Sequence, residues 1–214
     1  MPIVTRLEEA GRDGGRLRVH LDGEPVCTLT REAAGRLGLA QGVELGPEAA
    51  AALRDEAARE EALGRAFRYL GHRARSRAEL ERYLGRRGYE DAVVAATLGR
   101  CEALGYVDDR AFATSWVRDR IRLKPRGIAR LRSELRKKGV SAADAEAGIG
   151  RAFEEEGVTE RDLLERAAGK KWRARRTDDP LKARRRLSGY LRRRGFPGHD
   201  IREVVDRLVG RLAD

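Results

Sequence analysis

Aromatic residues make up only 5% of this 214-residue chain, and histidine and cysteine are scarcer still, at three and two. With so few rings, leucine, valine and alanine must do the packing, and the 41% hydrophobic content supports cores that are small. His20, His72 and His199 fall in three separate segments, so no nucleophile, base and orienting group can be assembled around them. No glycine loop ending in Lys-Ser/Thr, no His-Glu-x-x-His and no Gly-x-Ser-x-Gly occurs. The expectation is a protein that is not an enzyme, with no cofactor and no metal site. Cys27 and Cys101 stand alone, without metal-ligand spacing, and read as buried thiols in a reducing cytoplasm. The longest run without a charge is Ala92–Gly99, too short to span a membrane. The opening Met1-Pro2-Ile3-Val4-Thr5-Arg6 lacks the basic-then-apolar order of a signal peptide.

What the chain has in excess is positive charge. Charged residues are 38% of the total, with a net charge of +11 and an isoelectric point near 10.3, which points to a polyanion or an acidic protein surface as partner. Arginine outnumbers lysine 40 to 6, so a compositional bias toward arginine on solvated faces is the competing explanation. The distribution argues for a localised basic surface: residues 1–60 carry 8 basic and 11 acidic side chains, whereas residues 157–214 carry 17 and 9.

The middle of the chain, Gly105 to Val140, organises the rest. Asp108 or Asp109 can cap a helix in which Phe112, Trp116 and Val117 form the apolar side, followed by Arg118, Arg120, Arg122 and Lys124 and ended by Pro125. A second helix from about Gly127 has Ile128, Leu131 and Leu135 as its buried stripe, and Gly139 stands where a left-handed cap is wanted. The segments Gly105-Tyr106-Val107-Asp108-Asp109, Arg110-Ala111-Phe112-Ala113, Lys124-Pro125-Arg126-Gly127, Arg130-Leu131-Arg132-Ser133-Glu134-Leu135 and Lys137-Lys138-Gly139-Val140 carry a resemblance. Together this stretch resembles the core signature of the RecX family, bacterial regulators of the RecA recombinase.

Residues 1–46 read differently. Leu17, Val19 and Leu21 alternate with polar residues, Asp22-Gly23 makes a tight turn, and Val26 to Leu29 resumes a strand, with Val4 to Leu7 a third strand across the Arg12-Asp13-Gly14-Gly15 turn. Thr30 caps a short helix ending near Gly38, and Gln41 to Gly46 is a loop or short strand. This small module is either a stabilising appendage or a partner-binding element. Pro47 then starts a helix that runs to about His72, with Leu63, Phe67 and Leu70 as its late apolar face and its first half a connector.

Downstream, the chain repeats when aligned on Gly88, Gly139 and Gly195, at spacings of 51 and 56. Leucines precede each glycine by four (Leu84, Leu135, Leu191) and by eight (Leu80, Leu131, Leu187), and two basic residues come directly before it. Tyr89, Val140 and Phe196 follow, and then a further helix whose inward positions are Val94, Ala145 and Ile201 and again Leu98, Ile149 and Val205. The prediction is a mainly α fold: three tandem three-helix repeats forming an elongated, curved array, with a small N-terminal β-rich module. The divisions are 1–46, 47–107 (connector helix and first repeat), 108–157 (second) and 158–214 (third). Lys170-Lys171-Trp172-Arg173-Ala174-Arg175-Arg176 and Thr177-Asp178-Asp179-Pro180 lengthen the exit of the third repeat's first helix and account for the longer spacing. The RecX family is likewise described by three tandem three-helix repeats, so resemblance and periodicity agree over roughly residues 60–214.

The acidic pairs Asp108-Asp109 and Asp178-Asp179 precede helical patterns and read as caps. Ten basic residues lie between Arg118 and Lys138 against Asp119 and Glu134, and twelve between Lys170 and Arg194 against Asp178 and Asp179. Arg118 with Arg122, and Arg132 with Arg136, are i, i+4 like-charge pairs that an external anion would relieve; the alternative is that Glu134 pairs with Lys138 and the rest is solvated. Trp172 can stack on a base or cover the core, while Tyr83, Tyr89, Phe112 and Trp116 keep apolar spacing and read as packing residues.

What the resemblance implies is a non-enzymatic regulator that binds the RecA nucleoprotein filament; the expectation for the chain itself is a cytoplasmic monomer. It limits filament extension or promotes disassembly, with single-stranded and double-stranded DNA as further partners and no membrane. The matched positions that carry this role are Arg118, Arg122, Lys124, Arg126, Arg130, Arg132, Lys137 and Lys138; Lys171, Trp172, Arg173, Arg185 and Arg193 are added from charge and local context. The rival reading is a DNA-binding or transcriptional protein that uses basic three-helix units.

Overall fold

A computed structural model describes residues 1–11, 14–174 and 179–210. The expected turn at Arg12-Asp13 and the segment 175–178, with Arg175, Arg176 and Asp178, lie outside the described residues. Three strands, β1 (Val4–Ala10), β2 (Arg16–Leu21) and β3 (Glu24–Thr30), precede ten helices among the described residues. These are α1 (Arg31–Arg36), α2 (Pro47–Gly71), α3 (Arg77–Gly85), α4 (Asp91–Ala103), α5 (Asp109–Leu123), α6 (Ile128–Lys137), α7 (Ala142–Glu156), α8 (Glu160–Ala174), α9 (Pro180–Arg193) and α10 (Gly198–Gly210). No helix of the described residues is long and apolar enough to cross a membrane. The chain forms two compact units, Met1–Ala74 with Leu80–Val107, and Arg75–Glu79 with Asp108–Asp214.

In the first unit, β1, β2 and β3 make an antiparallel sheet in that order. The hairpin between β2 and β3 turns on Asp22 (φ 50°) and Gly23 (φ 92°), two consecutive positive φ angles that match the right-handed twist of the flanking strands. Alternation puts Leu17, Val19 and Leu29 inward with Val4, and Thr30 caps α1 by accepting from the Ala33 N–H at 3.2 Å. Leu53 of α2 joins this core, and Glu60 of α2 pairs with Arg16 of β2 at 2.9 Å. The first half of α2 is therefore part of the sheet's own core rather than a free connector. In its second half Ala62 and Ala66 are fully buried against Leu80, Leu84 and Leu98, whereas Leu63, Phe67 and Leu70 are partly buried at the margin. Small residues occupy the line where α2 meets α4, because larger ones would hold the helices apart.

The periodic positions fall as aligned. Leu80, Leu84, Leu131, Leu135 and Leu191 are fully buried and Leu187 nearly so, each burial contributing about 1.5–3 kcal/mol. Gly88, Gly139 and Gly195 take φ of 81°, 81° and 82°. After α6 the N–H of Gly139 bonds the Arg136 carbonyl at 2.9 Å and that of Val140 bonds the Leu135 carbonyl at 3.2 Å; Gly195 and Phe196 repeat the pattern after α9. This is the double-bonded helix stop that needs a residue without a Cβ. In each repeat the first helix packs on the third: α2 on α4, α5 on α7, α8 on α10.

In the second unit, the second and third repeats share one core running from Phe112 through Leu135 and Leu163 to Val209. Two close approaches hold it together. A Cβ on Gly148 of α7 would stand 2.5 Å from the Ala113 Cβ of α5. The loop before α6 lies directly on the loop after α9: Gly127 donates its N–H to the Arg194 carbonyl at 2.9 Å, and Arg194 reaches back to the Pro125 carbonyl at 2.8 Å. A Cβ on Gly127 would overlap the Gly195 carbonyl, and one on Gly195 would stand 2.5 Å from the Arg130 Cβ. The start of α6 has no side-chain cap of its own, and Glu160 supplies one by accepting from the Ile128 N–H at 2.7 Å.

Three alanine variants separate these effects in chemical denaturation. Gly157→Ala, at φ 59° with open space around it, should cost about 1–2 kcal/mol of left-handed strain alone. Gly127→Ala, at an ordinary φ of −74°, should cost about 1–3 kcal/mol from overlap alone. Gly195→Ala combines both and should lose the most; equal losses for Gly157→Ala and Gly195→Ala would show that the loop contact yields freely.

Candidate functional site

The two basic residues before each repeat glycine have separate fates. The first of each pair, Arg86, Lys137 and Arg193, is exposed and forms no ion pair among the described residues. The second lies over an aromatic ring: Arg87 over Tyr83 at 5.0 Å, Lys138 over Trp116 at 4.1 Å and Arg194 over Tyr190 at 4.6 Å. An α-helix that ends in a left-handed glycine turns its last two side chains to different sides, so a doublet delivers one cation to water and one to the protein.

Most of the matched arginines are neutralised internally, which corrects the expectation that repelling pairs await an external anion. Arg118 pairs with Glu155 of α7 and stands 3.5 Å from Glu156, and Arg122 pairs with Glu156 at 2.7 Å. Arg132 binds Glu146 with two bonds, of 2.5 and 2.8 Å. The hydrogen bond from Arg132 holds the Glu146 carboxyl below its ordinary range, and those from Arg151 and Arg118 do the same for Glu155. These pairs are solvent-facing and contribute little stability. Their consequence is electrostatic, since α7 cancels the field of the cations opposite it.

Glu134 gathers a second set. It lies 3.2 Å from Arg120, 3.6 Å from Arg126 and 3.1 Å from Arg130. Burial raises the Glu134 carboxyl, but hydrogen bonds from Arg130 and Arg120 outweigh it and the net shift is downward. Burial and the neighbouring Arg194 lower the pKa of Arg126 despite Glu134, so this cluster keeps excess positive charge. Lys138 does not pair with Glu134. It pairs with Glu79 at 3.0 Å, and its carbonyl accepts from Ser76 Oγ at 2.6 Å.

In the third repeat, Lys171 lies over the Tyr190 ring at 5.1 Å, and Trp172 is half-buried against the shared core. Arg173 and Arg185 are exposed. Lys124 is exposed beside Leu123, an apolar side chain 70% open to solvent. Among the described residues, then, Lys124, Lys137, Arg185 and Arg193 form no ion pair, and neither does Arg136, the member of the Arg132–Arg136 pair that keeps its charge, nor do Arg186 and Arg192, which are not among the sequence candidates. Their signal was available: Arg136 and Arg192 stand three residues before Gly139 and Gly195 on faces that the buried leucines leave to solvent. The structural importance of Arg120 and Arg194 was hidden, since it depends on Trp116, Glu134 and Pro125 across the fold. Among the described residues no group of His, Cys, Asp and Glu is arranged to hold a metal ion. The arrangement offers fixed positive charge on helix ends.

Three family models match in succession: the first three-helix domain of RecX over residues 62–101, the second over 108–149 and the third over 159–205. The protein named Regulatory protein RecX in Mycobacterium sp. (strain KMS) is 40% identical over 157 residues, covering 68% of this chain and 80% of the relative. The one so named in Prosthecochloris aestuarii (strain DSM 271 / SK 413) is 37% identical over 148 residues, covering 69% and 93%. A crystal structure of regulatory protein RecX aligns with a TM-score of 0.74 at 22% identity over 96% of this chain and 100% of that one, and so shares its fold.

Glu134→Gln tests the cluster. Loss of charge-assisted bonds should cost about 1.5–3 kcal/mol near neutral pH. Because the folded Glu134 carboxyl titrates below its unfolded value, its stabilisation is present above about pH 4.3 and is lost as pH falls through the folded pKa. The gap in stability between wild type and Glu134→Gln should therefore shrink in acid, and a gap that does not change with pH would remove Glu134 from this role.

Proposed function

This chain belongs to the RecX family, and from that premise we propose that it regulates the RecA recombinase by binding the RecA nucleoprotein filament. Bound there, it limits filament extension or promotes disassembly, and so lowers strand exchange, ATP hydrolysis and RecA-stimulated repressor cleavage without catalysing a reaction itself. The observation that supports this reading is the set of cations left without acidic partners. Lys137 and Arg193 occupy the same position in successive repeats, and Arg136, Arg192, Arg185 and Lys124 extend the pattern. Charges presented from a shared rigid core suit a partner with regularly spaced negative charge, either nucleic-acid phosphate or acidic side chains on a filament. Arg118, Arg122 and Arg132, already held by Glu155, Glu156 and Glu146, serve to shape the surface rather than to carry affinity.

The test is the single-stranded-DNA-dependent ATPase of the cognate RecA, with this protein added well below one molecule per RecA and an equally basic unrelated protein as control. Hydrolysis should fall with this protein and not with the control. Lys137→Glu with Arg193→Glu should weaken inhibition roughly tenfold, about 1.4 kcal/mol, whereas Arg132→Glu should change it less. Inhibition that appears only when the DNA itself is saturated, with a steep loss between low and physiological salt, would move the assignment to the DNA-binding alternative.

A further inference from the structure

A groove of about 860 Å3 opens in the first unit, lined by none of the cations that the regulatory reading uses. One wall is α2, where Ala57, Ala58 and Gly64 leave room because their side chains are small. The other is β3, which presents Val26, Cys27 and Thr28. β3 is an edge strand with β2 as its one neighbour in the sheet. The bond from the Arg31 N–H to the Gly15 carbonyl, at 2.9 Å, sets the alternation between these strands. Leu17 with Leu29 and Val19 with Cys27 are then the pairs that exchange bonds, so Thr28, opposite Arg18, turns its N–H and C=O outward from the sheet, where the carbonyl accepts from the Arg16 guanidinium at 3.4 Å. The register shift between Val19 and His20 leaves Val26 unmatched, and its side chain is 52% exposed. Among the described residues the Thr28 N–H has no such side-chain partner, and another extended backbone meets an outward N–H and C=O together.

Charge narrows the occupant. Among the acidic lining residues, Glu60 is neutralised by Arg16 at 2.9 Å and Glu61 by Arg65 at 2.7 Å. Arg54 and Arg68 also line the groove and form no ion pair among the described residues. A Cβ on Gly64 would stand 3.9 Å from the Arg68 guanidinium, which places that charge along the groove wall. From position 54 to position 68 a helix rises about 21 Å. At about 3.3 Å per residue, a strand of roughly six to seven residues covers that distance.

We propose that this groove binds an extended peptide segment of a partner protein, added to β3 as a fourth strand, apolar where it faces α2 and acidic near each end to meet Arg54 and Arg68. The segment exchanges backbone bonds with Thr28, taking its carbonyl in place of the Arg16 guanidinium, which keeps Glu60, and its middle side chains fill the space that Gly64 and the alanines leave.

The experiment uses the full chain and a fluorescein-labelled heptapeptide, Asp-Val-Thr-Val-Thr-Val-Asp, in fluorescence polarisation, with a lysine-ended version as comparison. Saturable binding of the acidic peptide is expected, together with slowed alkylation of Cys27 in the groove wall; Cys101, fully buried, stays unreactive with or without peptide. Arg54→Glu with Arg68→Glu should weaken binding by about tenfold or more. Thr28→Pro removes an outward N–H without touching the ladder to β2, and Gly64→Leu fills the groove from a helix position that welcomes a side chain; each should abolish protection of Cys27. No saturable binding, equal binding of the lysine-ended peptide, or binding that Gly64→Leu leaves intact overturns the proposal. So does concentration-dependent dimerisation that the peptide displaces, which would make a second copy of this chain the occupant.

Discussion

Backbone lies on backbone where Gly127 and Gly195 meet, and the second unit is arranged around that contact. The N–H of Gly127 reaches the Arg194 carbonyl only because neither glycine carries a Cβ, and the approach fixes where α6 starts relative to where α9 ends. Once that distance is set, Leu131 and Leu135 of one repeat and Leu187 and Leu191 of the next enter the same core. Glu160 can then cross from the third repeat to cap the second. Side-chain packing alone is tolerant of small slides between helices, whereas a backbone hydrogen bond made beside two touching glycines is not.

Charge is distributed over this frame by the acids. α7 places Glu146, Glu155 and Glu156 against the arginines of α5 and α6, and Glu134 collects three more. The net charge of +11 is thus expressed unevenly, concentrated on helix ends and on α9. A count of arginines overstates the functional surface, because an arginine with a fixed carboxylate beside it offers a partner little that water does not.

The repeat was legible because its constraints are local. A helix that ends in a left-handed residue announces itself as glycine, and leucines four and eight residues earlier mark the buried side whatever lies across from them. The charge partners were not legible, because Arg118 and Glu155 are 37 residues apart, Arg122 and Glu156 are 34 apart, and Arg132 and Glu146 are 14 apart. Nothing in a sequence window tells an arginine which helix will face it. The role of α2 was misjudged for a related reason: a run rich in alanine and glutamate looks like a solvated rod, yet Leu53, Ala62 and Ala66 are each buried, against different partners along one helix. Alanine at a close helix crossing gives the same sequence signal as alanine in water.

Five residues before each repeat glycine, one position is held in turn by Tyr83, Glu134 and Tyr190. A ring there steadies a cation and leaves its charge whole, as Tyr190 does for both Lys171 and Arg194. A carboxylate there steadies cations and cancels one of them, as Glu134 does. Each repeat thus has its own dial, and the strength of its field can be reset by exchanging tyrosine and glutamate without moving any arginine. A repeat built this way can change the electrostatic field at its own helix end while the path of its backbone stays the same.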